Sequence, residues 1–177
     1  QFPTIAAAAS EIIRIEAITR LPKGTEHFMS DLHGENEAFL HILNSASGVI
    51  REKIDQVLGE DVPAAERAEL ATLVYYPVQK LPELKAAQQD LGAWYRKTLL
   101  RLIEVCRLVS SKHTRAHVRR CLPKSCAYIL DELLHAHFED HDKDRYYGQI
   151  IESILRYDRA DAYITRFCQV IKHLAVD

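Results

Sequence analysis

The sequence predicts a mainly α protein, a multi-helix bundle with one isolated strand at about residues 26–31. Three observations favour this fold class. Apolar residues recur at three- and four-residue spacings along most of the chain, which is the pattern of amphipathic helices. The 177 residues include six Gly and six Pro, which is few for a chain of many short strands and turns. The length suits one domain, and 47% hydrophobic with 27% charged residues is typical of globular proteins.

The first elements are predicted from changes in this periodicity. A helix is predicted from residue 4 to about residue 20, with isoleucines at helical spacings, and Pro22 lies just past its end. The segment from Thr25 to Asp31 then alternates loosely and is short, which predicts a strand. The next helix is predicted over about residues 35–47, and Gly48 suits its C-terminal cap.

Further helices are predicted along the rest of the chain. One runs from Val49 to Leu58, where Gly59 closes it, and Pro63 suits the first turn of another that reaches about residue 76. Pro77 and Pro82 bracket a predicted connector. The remaining predicted helices cover about residues 83–112, a stretch that begins at Pro123, and about residues 146–157 and 161–174.

The isolated strand has a consequence for the extent of the protein. A strand cannot pair its own backbone groups and needs a neighbour in a sheet, yet the sequence holds no second convincing strand. We therefore expect its partners to lie outside this chain. The start at Gln1 and the apolar stretch before Asp177 favour a polypeptide cut at both ends. Exposed strand edges also favour pairing between two copies, so a homo-oligomer is a further expectation.

Composition excludes several classes of partner. A formal net charge of −2 argues against a protein that works by holding nucleic-acid phosphates. The sequence has no apolar run of the roughly 18 residues that a membrane span needs, so no membrane partner is expected. The four cysteines form no C-x-x-C pair and are interpreted as unpaired thiols in a reducing compartment. Together these features predict a cytoplasmic location.

The candidate chemistry lies in Asp31-Leu32-His33-Gly34, between the predicted strand and the next helix. Ligands gather at this end of strands in sheets with helical crossovers. Asp31 and His33 can direct a carboxylate oxygen and an imidazole nitrogen at one ion, a ligand pair that suits Mn, Fe or Zn better than Ca. The alternative is that Asp31 caps the following helix and His33 is an ordinary surface residue.

The residues around this motif resemble the start of the class III fructose-1,6-bisphosphatases, bacterial enzymes with a calcineurin-like metallophosphoesterase core. The resemblance is strongest in LPKGTEHFMSDLHGE, residues 21–35, and SGVIREKI, residues 47–54, and covers essentially the whole chain. It implies hydrolysis of fructose 1,6-bisphosphate to fructose 6-phosphate and phosphate in gluconeogenesis, with manganese as cofactor. Asp31 and His33 match the family's first metal-binding motif position by position.

The chain lacks the later motifs of that superfamily. Neither G-D-x-x-D-R-G nor G-N-H-D/E occurs in it. The resemblance therefore implies an N-terminal part of the enzyme. Residues 1–48 would start the metallophosphoesterase α/β sandwich, with its helix, first strand and first metal motif. Residues 49–177 would be a helical region inserted before the second metal motif. The other metal ligands and the groups that act in catalysis would lie elsewhere, so we expect this chain to be inactive and to hold manganese poorly.

Two histidine features give weaker metal hypotheses. The sequence H-A-H-F-E-D-H places His135, His137 and His141 among acidic residues, and the last two stand four apart, as on one helical face. A helix end with exposed polar residues is the simpler interpretation. His27 is interpreted either as a residue beneath the metal site or as a residue filling the outer face of the predicted strand.

Charge is segregated along the chain. Residues 96–124 hold nine Lys or Arg and one acid, whereas residues 26–69 hold ten acids and three bases. We favour pairing between these basic and acidic helices over attraction of phosphorylated ligands.

Two functions compete with the enzyme hypothesis. One is a non-enzymatic helical interaction module in which D-x-H-G is accidental, and the other is nucleic-acid binding through residues 96–124, which the acidic remainder disfavours.

Overall fold

The computed structural model describes residues 2–23, 26, 28–31, 33–135 and 143–176. Over these residues the protein is mainly α, as the periodicity predicts. A short 3-10 turn over Ala46–Gly48 joins the second and third helices. The helices are α1 (Ile5–Ile18), α2 (Asn36–Ser45), α3 (Val49–Leu58), α4 (Ala64–Tyr75), α5 (Pro77–Ala86), α6 (Leu91–Ser110), α7 (Arg115–Cys121), α8 (Ala127–Leu134), α9 (Asp144–Arg156) and α10 (Ala160–Val176).

The prediction of an isolated strand at about 26–31 is wrong. Residue 26 and residues 28–31 adopt no regular structure, and no strand occurs anywhere in the described residues. The physical reason is the one that made the strand conspicuous: extended backbone is stabilised by a neighbouring strand, and the described residues provide none. Alternating side chains indicate which face each would take in a sheet, but alternation alone does not form a strand when no neighbouring strand is present.

The predicted connector and the predicted long helix over 83–112 are both corrected. Pro77 begins α5, because a proline in the first helical turn loses no hydrogen bond, and the helix continues through Pro82. The chain leaves helical structure after Ala86 and starts again at α6, where the Asp90 carboxylate accepts a hydrogen bond from the backbone N–H of Ala93 at 2.9 Å. Asp90 is thus an N-cap in the middle of one apparently continuous apolar pattern.

Helix α7 is present although the sequence analysis assigned no element there. Three of its seven residues are arginines, and Val118 is the one buried residue among the seven, so the apolar period is too weak to detect. The signal that would have found it is capping. The Thr114 hydroxyl accepts from the backbone N–H of His117 at 3.2 Å, a polar N-cap followed by a helical turn.

The core forms where α10 packs along α6, with α3, α4 and α5 also against α10. Both helices contribute side chains with essentially no solvent exposure, including Leu102 and Ile103 on α6 and Phe167 and Ile171 on α10. Two cysteines, Cys106 and Cys168, are buried in the same core as free thiols, and burial raises the pKa of each to about 12. None of the helices in the described part of the chain is both long and apolar enough to span a membrane.

Four of the basic residues pair with acids on other helices, and the pairing with the acidic segment 26–69 is confirmed for Lys97 and Arg101. Lys97 and Arg101 on α6 hold Glu66 on α4 at 2.7 and 2.9 Å. Their hydrogen bonds lower the pKa of the Glu66 carboxyl. Two further pairs are Arg96 with Glu152 and Arg119 with Asp131. Charges separated along the sequence are therefore interleaved in space.

Arg67 closes the turn between α3 and α4, and its loss should be costly. Its guanidinium donates to the Asp55 carboxylate at 2.6 Å and to the backbone carbonyls of Gly59 and Val62 at 2.5 and 2.6 Å. We expect Arg67→Ala to lower the free energy of unfolding by about 1–3 kcal/mol, because two carbonyls lose a charged donor. Urea denaturation measures this. Lys53→Ala, which removes an ion pair to Glu52 at 3.9 Å and a hydrogen bond to the Gln56 side chain at 3.1 Å but leaves no backbone carbonyl without its donor, is the control, and equal losses would contradict the assignment.

Candidate metal site

The backbone of the predicted metal motif turns sharply between the end of α1 and the start of α2. Asp31, His33 and Gly34 all have left-handed φ, at 62°, 47° and 77°. Glycine adopts this region freely, whereas aspartate and histidine do so at a cost and cluster at functional sites when they do. The glycine is explained by its φ alone, because a Cβ added at Gly34 would meet no atom within 4 Å.

Asp31 is not a helix cap, so the alternative assignment of this residue is wrong. Glu35 stands at the N-cap position of α2 and makes no side-chain cap hydrogen bond. The turn is held by backbone instead, since the N–H of Asn36 donates to the carbonyl of Gly34 at 2.8 Å. The Asp31 carboxylate therefore does not serve as an N-cap, which is the usual structural role of an aspartate just before a helix.

The structure brings the two predicted ligands together. Nε2 of His33 lies 2.8 Å from Oδ1 of Asp31. Two adjacent ligand atoms, each about 2.0–2.2 Å from one ion, are separated by roughly 3 Å when they subtend a right angle. The observed separation therefore fits a carboxylate oxygen and an imidazole nitrogen beside a single cation. At 2.8 Å the same two atoms are also within hydrogen-bonding distance of each other.

The site is open and incomplete within the described residues. The Asp31 and His33 side chains are 75% and 73% exposed, so nothing in the described structure covers them. Among the described residues, no group of three or more His, Cys, Asp or Glu is placed to hold a metal ion. Divalent metals of this kind take about four to six ligands. A metal held by Asp31 and His33 would therefore need further ligands from beyond the described residues.

Helix α2, which follows the site, is fixed to the helical body at its far end. Nδ1 of His41 lies 2.7 Å from the hydroxyl of Tyr76. The Lys172 ammonium on α10 donates to the Asn44 side chain at 3.2 Å and to the carbonyl of Tyr75 at 3.1 Å. Burial lowers the pKa of Lys172. The sequence analysis did not single out His41 or Lys172, because no local pattern links residues so far apart.

The other histidine hypotheses are less well supported. His27 lies outside the described residues, and so do His137 and His141. His135 is described, and its Nδ1 lies 2.7 Å from the backbone carbonyl of Asp131. The Asp131 carboxylate in turn pairs with Arg119 at 2.9 Å. These contacts give His135 a structural role at the end of α8.

Comparison with known proteins identifies the family. The whole chain, residues 1–177, matches the family model for Firmicute fructose-1,6-bisphosphatase. Proteins named fructose-1,6-bisphosphatase class 3 from Clostridium novyi and Clostridium acetobutylicum are 51% and 52% identical over all 177 residues. A third, from Clostridium botulinum (strain Loch Maree / Type A3), is 51% identical. The chain spans 27% of the length of the first two and 26% of the third, and no solved structure matches. This chain belongs to the Firmicute fructose-1,6-bisphosphatase family.

Proposed function

We propose that this chain is the N-terminal part of a metal-dependent fructose-1,6-bisphosphatase. The full enzyme would hydrolyse fructose 1,6-bisphosphate to fructose 6-phosphate and phosphate in gluconeogenesis, in the cytoplasm. Family membership over the whole chain supports the activity. The observation that carries the site assignment is the 2.8 Å separation of Asp31 Oδ1 and His33 Nε2 on an open surface. The alternative of a non-enzymatic module does not explain why these two donors lie side by side in strained backbone.

We propose that Asp31 and His33 are ligands for manganese. Asp31 must be ionised and His33 must present an unprotonated nitrogen, because these forms carry the lone pairs that bind metal. Bound metal supplies a lowered pKa for a water nucleophile and positive charge beside the phosphoryl oxygens. The contribution of this chain is to hold two donors in a fixed mutual position. The left-handed backbone on both sides of residue 32 supports that role, since it turns both side chains to one side.

The two-part organisation stays a proposal. Residues 1–48 would belong with the catalytic sandwich and residues 49–177 would form a helical insertion. The backbone supports a division near this point, because Ala46 and Ser47 have positive φ and Gly48 has φ 90° immediately before α3 begins at Val49. A run of three left-handed residues breaks the helical path between α2 and α3.

Phosphate release tests the proposed activity. We expect the longer polypeptide that contains this chain to release one phosphate from fructose 1,6-bisphosphate in the presence of Mn²⁺ and to leave fructose 6-phosphate. The 177-residue chain should release none above a blank, because two donors cannot hold the metal against water. Fructose 6-phosphate offered as substrate is the control for a general phosphatase. The proposal is wrong if the longer polypeptide is inert, or if the 177 residues alone turn over.

A further inference from the structure

Helix α1 exposes isoleucine side chains of a kind that folded proteins usually bury. Ile5 is 90% exposed, Ile13 67% and Ile12 57%, and no residue of α1 is buried. Its start is well formed, since the Thr4 hydroxyl accepts from the N–H of Ala7 at 3.1 Å. A capped helix with exposed isoleucines is an apolar element without its partner.

Four of the five exposed isoleucines of α1 lie on one side of the helix. At 100° per residue, Ile5, Ile12, Ile13 and Ile15 fall within an arc of about 160°, and Glu16 is the charged residue in that arc. The other side of α1 lies near the start of α7 at its C-terminal end. There Ala17 and Ile18 line a cleft with residues at the start of α7. The four isoleucines of the arc are 49–90% exposed in the described structure.

We propose that the isoleucine arc of α1 is an interface with the remainder of the longer polypeptide, the part that completes the metal site. This inference rests on the proposed function. Nearly three quarters of the length of the related proteins lies outside the part that this chain matches. That remainder must approach Asp31 and His33 to supply the missing ligands, and α1 leads directly into their segment. Phe28 and Met29, 88% and 39% exposed, are further apolar side chains in the same segment.

Two other occupants fit less well. A membrane surface favours helices rich in Lys and Arg, whereas α1 carries a single basic residue, Arg14, which pairs with Glu11. A second copy of this chain would bury the arc but would leave each metal site with the same two donors. The remainder of the polypeptide is the occupant that both covers the arc and supplies ligands.

Hydrogen exchange on the intact longer polypeptide tests this interface. We expect the backbone amides of residues 5–18 to exchange as slowly as those of a buried helix. Ile12→Glu should speed their exchange about tenfold or more, because it places a charge inside the interface. Val78→Glu is the matched control, since Val78 is an apolar residue that is 73% exposed on α5, and it should leave exchange in α1 unchanged. If the Ile12→Glu variant fails to fold, the exchange rates of residues 5–18 in the unsubstituted protein still test the proposed interface.

Each other outcome counts against the proposal. Fast exchange over residues 5–18 in the intact protein overturns it. So does protection that grows with protein concentration, which assigns the arc to a second copy. Protection that appears when vesicles of phosphatidylcholine and phosphatidylglycerol are added, and that Ile12→Glu abolishes, assigns it to a membrane. The phosphate-release assay is independent of all three. If the protein is inactive but α1 is protected from exchange, only the proposed function is wrong. If the protein is active but α1 is unprotected, only the proposed interface is wrong.

Discussion

We expect Asp31→Asn and His33→Ala, each made in the longer polypeptide, to lower phosphate release from fructose 1,6-bisphosphate by roughly 100-fold or more. Substitution of groups that only support metal ligands already costs about 10–100-fold, so loss of a ligand should cost at least as much. The two side chains are 75% and 73% exposed, so neither change should disturb packing. Steady-state kinetics in the presence of Mn²⁺ measures the loss, and thermal unfolding shows that the fold is kept.

The control for this prediction lies in the same segment. Glu26 is an exposed acid that pairs with Lys23 at 2.9 Å, five residues before Asp31. Glu26→Gln removes one negative charge from the same stretch of chain without touching the donor pair, and it should keep nearly full activity. The metal assignment fails if Asp31→Asn and Glu26→Gln behave alike, or if His33→Ala retains the activity of the unsubstituted protein.

The largest stability effect is expected at the centre of the core. Phe167→Ala in α10 should lower the free energy of unfolding of the 177-residue chain by about 3–5 kcal/mol, because it leaves a cavity in a site with no exposure. That is a large share of the roughly 5–15 kcal/mol that holds a typical domain together. Urea denaturation followed by circular dichroism measures the change.

The matched control for Phe167 is the same residue type at the surface. Phe28 is 88% exposed, so Phe28→Ala should change the free energy of unfolding by no more than about 0.5 kcal/mol. Because the deleted atoms are identical, the difference between the two variants isolates burial. Equal losses at Phe167 and Phe28 would show that the core does not form around α10.

The helices of the body were predictable because their apolar faces are buried. The bounds of α3 agree with those predicted, since its apolar period is clear and Gly59 closes it. The break before α6 was not predictable from period alone, because the apolar residues on both sides stay in phase across it. Asp90 shows the break only when it is considered as a cap. Apolar periodicity predicts which face of a helix is buried, whereas capping residues predict where the helix begins and ends.

The segment near the metal motif shows the opposite case. Its alternation predicted a strand, and its composition resembles a strand of a catalytic sheet, but the described residues contain no sheet for it to join. The sequence of α1 likewise predicted an apolar face that the structure leaves bare. We propose that both features depend on parts of a longer protein, which would explain why these residues alone realise neither. The proximity of Asp31 and His33 was predictable because the two residues are neighbours in the sequence, whereas the further ligands of the proposed site are not local to them.

Binding of Mn²⁺ itself gives the most direct test that Asp31 and His33 are two ligands of a site completed from outside this chain. Electron paramagnetic resonance of free Mn²⁺ measures binding to the longer polypeptide, its Asp31→Asn variant and the 177-residue chain under one set of conditions. We predict binding by the longer polypeptide, an affinity at least about tenfold lower for Asp31→Asn, and no measurable binding by the short chain. Equal Mn²⁺ affinity in the longer polypeptide and in Asp31→Asn would contradict the account.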